Sequence, residues 1–218
     1  MTERLDLFPT PVLMIRPPEA AQINESLLAA VRAERDSNPG VQRSNLGGWH
    51  SRNGMTTWGG PPARKLAELA IAAAGPHMVD VAPGSRPVVQ WSVDMWANIN
   101  QPGDSNQVHC HTGTFWSGTY YADPGGAEVE GCGGELVLED PRYPGAFMVN
   151  PSILFRNPDR SPMPVQVTIR PEAGLLVLFP SWLRHSVRPH GGDRERVSIA
   201  LNLGLTNAEN AGNRTAER

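Results

Sequence analysis

Three histidines and an Arg-x-Ser pair carry the chemistry that this sequence offers. His109 and His111 stand two apart in "NQVHCHTGTFWSGTYY", residues 106–121. On an extended strand, residues i and i+2 point the same way, so both imidazoles can reach one metal ion while Cys110 points away. His185 follows an apolar run and a Pro-containing turn in "GLLVLFPSWLRHSV", residues 174–187. Three converging imidazoles make an open site, with positions left for substrate and oxygen, whereas a structural site closes on four ligands. Two surface histidines also occur at this spacing without any function, and the third is what strengthens the pair.

The elements that must position these residues fall into two groups. Residues 17–36, "PPEAAQINESLLAAVRAERD", open with prolines suited to a helix start and repeat Ile23, Leu27 and Val31 at helical spacing. Residues 61–75, "PPARKLAELAIAAAG", repeat the design with Leu66, Leu69 and Ala73, and Gly75-Pro76 as a stop. Both read as packing helices. Beyond residue 86 the pattern changes to short strands separated by Gly, Pro, Asn and Asp, with candidates at 87–100, 115–123, 134–140, 152–156, 165–170, 174–179, 185–189 and 196–205. With no helical spacer between them, these strands predict an all-β core, an antiparallel jelly roll or barrel flanked by the two N-terminal helices. One domain is expected over residues 1–205, with long loops in the Pro-rich stretch 140–164 and a polar, mobile tail over 206–218.

Alternation sharpens this expectation. In "WSVDMWANIN" Val93, Met95, Ala97 and Ile99 share one face, and Ser92, Asp94, Trp96, Asn98 and Asn100 the other. In "RVSIALNLGL" Val197, Ile199, Leu201, Leu203 and Leu205 oppose Arg196, Ser198, Ala200, Asn202 and Gly204. Such strands suggest that the apolar faces meet the helices and the small polar faces line an interior site. A plain solvent-exposed face is the ordinary alternative for either strand alone.

The remaining candidates are weaker. His50, His77 and His190 read as surface or packing residues, and Cys110 and Cys132 lack Cys-x-x-Cys spacing. Trp116, Tyr120 and Tyr121 could wall a pocket, although strand aromatics are commonly core. A formal charge of −3, with Lys65 the only lysine, gives no case for nucleic-acid binding. No apolar run reaches membrane-spanning length and the N-terminus does not read as a signal peptide, so a soluble cytoplasmic protein is expected. The exposed sheet edges of an open jelly roll would allow a homodimer.

The order of these motifs resembles a known superfamily. His-x-His, the "GGEL" turn at Gly133–Leu136, the distal His185 and "RVS" at Arg196–Ser198 are similar to the motif order of Fe(II)/2-oxoglutarate-dependent oxygenases. More narrowly, "SNLGGWHS", "HxHxxxxWSGxYY", "DPR" and "LFPSWLRHSVRP" resemble a family of small oxygenases of bacteria and phages, over residues 40–205. The resemblance implies a double-stranded β-helix, Fe(II) on His109, His111 and His185, and 2-oxoglutarate as cosubstrate. It places the far carboxylate of 2-oxoglutarate on Arg196 and Ser198, with Asn98 a further candidate. The implied reaction hydroxylates a C–H bond of a small-molecule or peptide substrate that the sequence does not identify.

An arginine facing such an interior needs an anion, because a buried lone charge is costly, and its planar fork suits a carboxylate. A salt bridge to Asp94 or another internal acid is the structural alternative. The departure from the superfamily is His111, where an Asp or Glu usually stands. Either His111 replaces the acid, or it orients the substrate and water fills the third position. A cupin-type three-histidine metalloenzyme, independent of 2-oxoglutarate, is the rival reading. Gly103 and His109-x-His111 match the opening of its first motif, yet Phe115 and Trp116 stand where its Glu is due, and Trp182 replaces a glycine of its second motif. A non-catalytic metal-binding module is the remaining alternative. The Arg196/Ser198 pair separates the first reading from both.

Overall fold

The computed structural model describes residues 3–79, 89–142 and 152–207. Among these residues the chain opens with β1 (Leu13–Ile15) and α1 (Ala20–Ser37), then β2 (Asn45–Leu46), β3 (Trp49–His50), α2 (Met55–Trp58) and α3 (Gly60–Ala74). The strands β4 (Val89–Asn100), β5 (Ser105–His109), β6 (Trp116–Asp123), β7 (Leu136–Glu139), β8 (Gln166–Ile169), β9 (Leu176–Pro180), β10 (His185–Val187) and β11 (Arg196–Asn207) follow. They form a six-stranded sheet in the order β1-β9-β6-β11-β4-β3 and a five-stranded sheet in the order β2-β5-β10-β7-β8, with antiparallel pairing throughout.

The long ribbon β4–β11 is the spine of the larger sheet. It pairs without interruption from Arg196 opposite Asn100 to Asn207 opposite Val89. Met95, Ala97, Ile99, Val197, Ile199, Leu201 and Leu203 point to one face and pack with Ile23, Leu27 and Val31 of α1 and Leu66 and Ala70 of α3. Burying a side chain of this size stabilises by about 1.5–3 kcal/mol, and this stripe ties both helices to the sheet. The helices start on prolines, Pro17-Pro18 before α1 and Pro61-Pro62 within the first turn of α3, where a missing N–H costs nothing. Between the two sheets a second cluster forms from Tyr121, Leu136, Leu138, Ile169, Leu175, Val177, Phe179 and Leu183.

Several elements differ from the sequence pattern. Residues 152–156, expected as a strand, are exposed, and their β pairing among the described residues is the isolated bridge Arg156↔Pro162. Their apolar side chains find no sheet face to cover, so composition alone misled there. Strand β11 runs to Asn207, two residues into the segment expected as tail, because Thr206 and Asn207 still pair with Gln90 and Val89. The rest of that tail, residues 208–218, lies outside the described residues, as do residues 143–151 of the Pro-rich stretch. Strands β1, β2 and β3 are two or three residues long, too short to show a period.

Candidate metal centre

Pairing of β5 with β10 sets His109 directly opposite His185. His111 lies two residues beyond the end of β5, where its backbone N–H donates to the Ser181 carbonyl at 2.9 Å. Alternation along a regular strand therefore does not by itself aim His111; this anchoring to the turn before β10 holds its backbone at the site. The three imidazoles each offer one nitrogen, and these nitrogens all lie within 4.8 Å of one another. Ring centroids are 4.3 Å apart for His109 and His185, 5.0 Å for His109 and His111, and 5.2 Å for His111 and His185. Among the described residues no carboxylate or thiolate joins this group. Both cysteines are free thiols, and Cys110 is exposed.

Protonation favours ligation. The His109 Nδ1 lies 2.7 Å from the Gln107 carbonyl, and the His185 Nδ1 2.8 Å from the Leu183 carbonyl. A carbonyl only accepts, so each Nδ1 carries the proton and each Nε2 presents a lone pair. Burial, reinforced by His109, lowers the His111 pKa to about 4. Burial lowers His185 to about 3; His109 and His111 add to the effect and the Leu183 carbonyl opposes it. Both rings are neutral near pH 7, the form a metal requires. Phe179 packs on His185 with centroids 4.7 Å apart, and Trp96 on His111 at 5.9 Å.

A few residues along the same interior, Arg196 is 2 % exposed. Its Nη1 donates to the Gly134 carbonyl at 2.8 Å and its Nη2 to Asn100 Oδ1 at 3.0 Å, while Nε has no partner. Burial pulls its pKa down, against an opposing contribution from Tyr121, yet a guanidinium remains charged. Among the described residues no carboxylate pairs with it. The internal acid considered for that role, Asp94, instead accepts from Asn53 Nδ2 at 2.7 Å. Nearby, the Tyr121 hydroxyl and Asn98 Oδ1 are also buried without partners. Burial pushes Tyr121 up to about 12, so the phenol is protonated and can donate.

Asn98, Tyr121, Arg196 and Ser198 share one cavity of about 60 Å³ with the three histidines. A larger cavity of about 1240 Å³ lies between the N-terminal arm and strands β7 and β8, but none of the histidine cluster lines it. Chemistry and not size identifies the site. Of the aromatics expected to wall the pocket, only Tyr121 does. Trp116 and Tyr120 point to the opposite face of β6 into the helix-packed core, and the Tyr120 hydroxyl donates to Asn24 of α1 at 2.6 Å. Alternation explains the split, although at the Ser198 end a register shift lets β6 bulge.

Two features were not singled out from the sequence. Asn100 binds the guanidinium, and its place opposite Arg196 follows only from register. Gly134 presents its carbonyl to Arg196 from a φ of +75°, and a Cβ there would come within 3.1 Å of Ala127 Cβ and 3.4 Å of His190 Nδ1. The signal in the sequence was the glycine pair of "GGEL". Three converging imidazoles fit Fe(II), and an unpaired buried guanidinium beside an unpaired phenol fits a dicarboxylate such as 2-oxoglutarate.

Residues 94–202, half of the chain, match the family model described as "Putative 2OG-Fe(II) oxygenase". The chain belongs to this family. The oxygenase is accordingly an oxidoreductase whose cofactor is Fe(II) and whose cosubstrate is 2-oxoglutarate. It is similar in fold to a prolyl hydroxylase from Trichoplax adhaerens solved with a hypoxia inducible factor peptide, at 17% identity, TM-score 0.59, over 88% of this chain and 83% of that one. It is similar also to a Pseudomonas putida prolyl-4-hydroxylase, at 17% identity, TM-score 0.55, over 88% and 91%. A third likeness is to HygX from Streptomyces hygroscopicus, solved with nickel and 2-oxoglutarate, at 12% identity, TM-score 0.55, over 89% and 83%. These likenesses establish the jelly-roll fold of the oxygenase. No curated protein matches its sequence. No helix among its described residues is long and apolar enough to cross a membrane.

Proposed function

We propose that the oxygenase hydroxylates a C–H bond of a small-molecule or peptide substrate from an iron site of His109, His111 and His185, with 2-oxoglutarate anchored on Arg196, Ser198 and Tyr121. The observation that carries this reading is Arg196: a guanidinium 2 % exposed, with Nε unpartnered and no carboxylate beside it among the described residues. An uncompensated buried charge of this kind is costly unless a bound anion completes it. Asn100 and the Gly134 carbonyl hold the two Nη atoms and so fix the direction of the fork. The Tyr121 hydroxyl adds a neutral donor for the same carboxylate, and Ser198, two residues from Arg196 along β11, adds another. Asn98 stands on the neighbouring strand, with its unpartnered oxygen available to a donor from cosubstrate or water.

Bound iron with 2-oxoglutarate supplies the oxidising chemistry, which couples release of succinate and carbon dioxide to substrate oxidation. The protein's own part is to present three converging imidazoles, aim the dicarboxylate and exclude water. His111 serves as the third ligand in place of the usual acid, since its ring nitrogen lies within 4.8 Å of both others. Replacing a carboxylate by an imidazole leaves the site one negative charge poorer. The motif order supports a reading of the chain as one of the small bacterial and phage oxygenases, a single domain that takes in the whole of β11 to Asn207. A peptide remains among the candidate substrates because the Trichoplax prolyl hydroxylase was solved with one.

The test is anaerobic addition of 2-oxoglutarate to the Fe(II)-loaded protein. A visible metal-to-ligand charge-transfer band is expected in wild type and a weakened band in Arg196→Ala. Iron binding with no band in wild type would mean a histidine metalloenzyme that does not use 2-oxoglutarate.

A further inference from the structure

The site face of the β4–β11 ribbon carries a second uncompensated charge, at the end opposite Arg196. Going along the paired strands from Arg196 and Asn100, this face presents Ser198 with Asn98, then Ala200 with Trp96, then Asn202 with Asp94. Trp96 packs on His111, so the metal-binding cluster lies near the middle of the ribbon. Asp94 lies one side-chain repeat beyond Trp96, about 7 Å along the strand. It is half-buried, and its carboxylate accepts from Asn53 Nδ2 at 2.7 Å and from the backbone N–H groups of Gly54 and Met95. All of these donors are neutral. Burial raises its pKa, against these hydrogen bonds; among the described residues no lysine or arginine pairs with it, and His50, the basic group that interacts with it, is shifted by burial toward its neutral form.

The wall around Asp94 is polar. Asn202 accepts from Ser117 Oγ at 2.7 Å, and both are buried. Beyond them β11 places Gly204 opposite Ser92, whose Oγ lies 2.6 Å from where a Cβ at Gly204 would stand. The ribbon thus holds a buried cation on one side of the histidines and an unneutralised carboxylate on the other. If the cationic end receives the cosubstrate, the anionic end is left for the substrate.

We infer that Asp94 is a specificity-determining residue that receives a cationic group, an ammonium or guanidinium, of the substrate; this rests on the function proposed above. The ordinary alternative is that Asp94 only clamps the 51–54 loop through Asn53.

The test uses the full-length protein with Fe(II) and 2-oxoglutarate under anaerobic conditions, with the charge-transfer band recorded separately from substrate binding. Calorimetric titrations compare N-acetyl-L-lysine methylamide with its uncharged counterpart N-acetyl-L-norleucine methylamide, and putrescine with 1,4-butanediol. The charged member of at least one pair should bind about tenfold tighter, and that preference should fall to about twofold or less in Asp94→Asn. Asn53→Ala, which frees the loop and leaves the carboxylate, should keep the preference. Equal binding within both pairs overturns the inference, as does a preference that survives Asp94→Asn or is lost equally in Asn53→Ala. A missing band with an intact, Asp94-dependent preference overturns the cofactor assignment and leaves this inference standing.

Discussion

The two faces of the β4–β11 ribbon are built from the same residues in strict alternation, yet they are stabilised in opposite ways. The helix-facing side is apolar and fully buried, with Met95, Ala97, Ile199, Leu201 and Leu203 at 0% exposure. The side chains of this stripe are apolar, so burial leaves them no hydrogen bond to satisfy. On the other side Arg196 Nε and Asn98 Oδ1 are buried and lack partners, and the Tyr121 hydroxyl reaches the same cavity from β6. A face that satisfies itself is structural, whereas a face that leaves strong donors unsatisfied is shaped for something absent from the chain.

Substitutions should separate the two faces cleanly. The largest effect is expected from His185→Ala, which removes one of three nitrogen ligands; Fe(II) affinity should fall by about 100-fold or more, measured by competition with a chelator. Retained iron in that variant would break the assignment of the polar face. Next, Arg196→Leu should raise the KM for 2-oxoglutarate by about 100-fold, since breaking a buried charge pair costs roughly 3–5 kcal/mol. On the apolar face Leu203→Ala should cost about 2–5 kcal/mol of stability, a fall in Tm of roughly 5–15 °C, with kcat per folded molecule unchanged. A large kcat loss there would blur the contrast between faces. Tyr121→Phe should raise the KM for 2-oxoglutarate by about tenfold while leaving iron affinity alone, as suits a single hydrogen bond to a charged group.

The last test is in pH. His111 and His185 have folded pKa values near 4 and 3 against an ordinary 6.5, so the unfolded chain binds more protons between these limits. Their contribution to the stability of the metal-free protein is complete above about pH 6.5 and is lost as pH falls toward 4 and then 3. The melting temperature of the metal-free protein should therefore decline on acidification from pH 7.5 to 4.5, and less steeply in His185→Leu. A flat profile in wild type would mean that the histidines are open to water.

The histidine set and the arginine were legible because their chemistry is bound to residue type and their spacing to the period of a strand. Alternation likewise assigned Met95, Ala97, Ile99, Val197, Ile199, Leu201 and Leu203 to a helix-facing stripe, and the helices lie against it. Trp116, Tyr120 and Tyr121 were not separable by type. Tyr120 and Tyr121 are neighbours of the same type, and which face is core depends on where α1 lands, with Asn24 capturing the Tyr120 hydroxyl. His50 shows the same limit: it is buried, its Nδ1 lies 2.7 Å from the Ser51 carbonyl, and its ring stacks on Trp96. Nothing local distinguishes it from His109, which has a similar carbonyl partner.

Composition and period by themselves determined the antiparallel β class, the two amphipathic helices and the residue types available for metal and carboxylate. Tertiary structure alone decided that β10 lies beside β5, so that His185 meets His109 across 76 positions of chain. It alone decided that Asn100 and Gly134 hold Arg196 and that, among the described residues, no acid does. The reason is that periodicity is a property of a few neighbouring residues, whereas strand order and the pairing of buried charges are set by the packing of distant segments, which a local pattern does not encode.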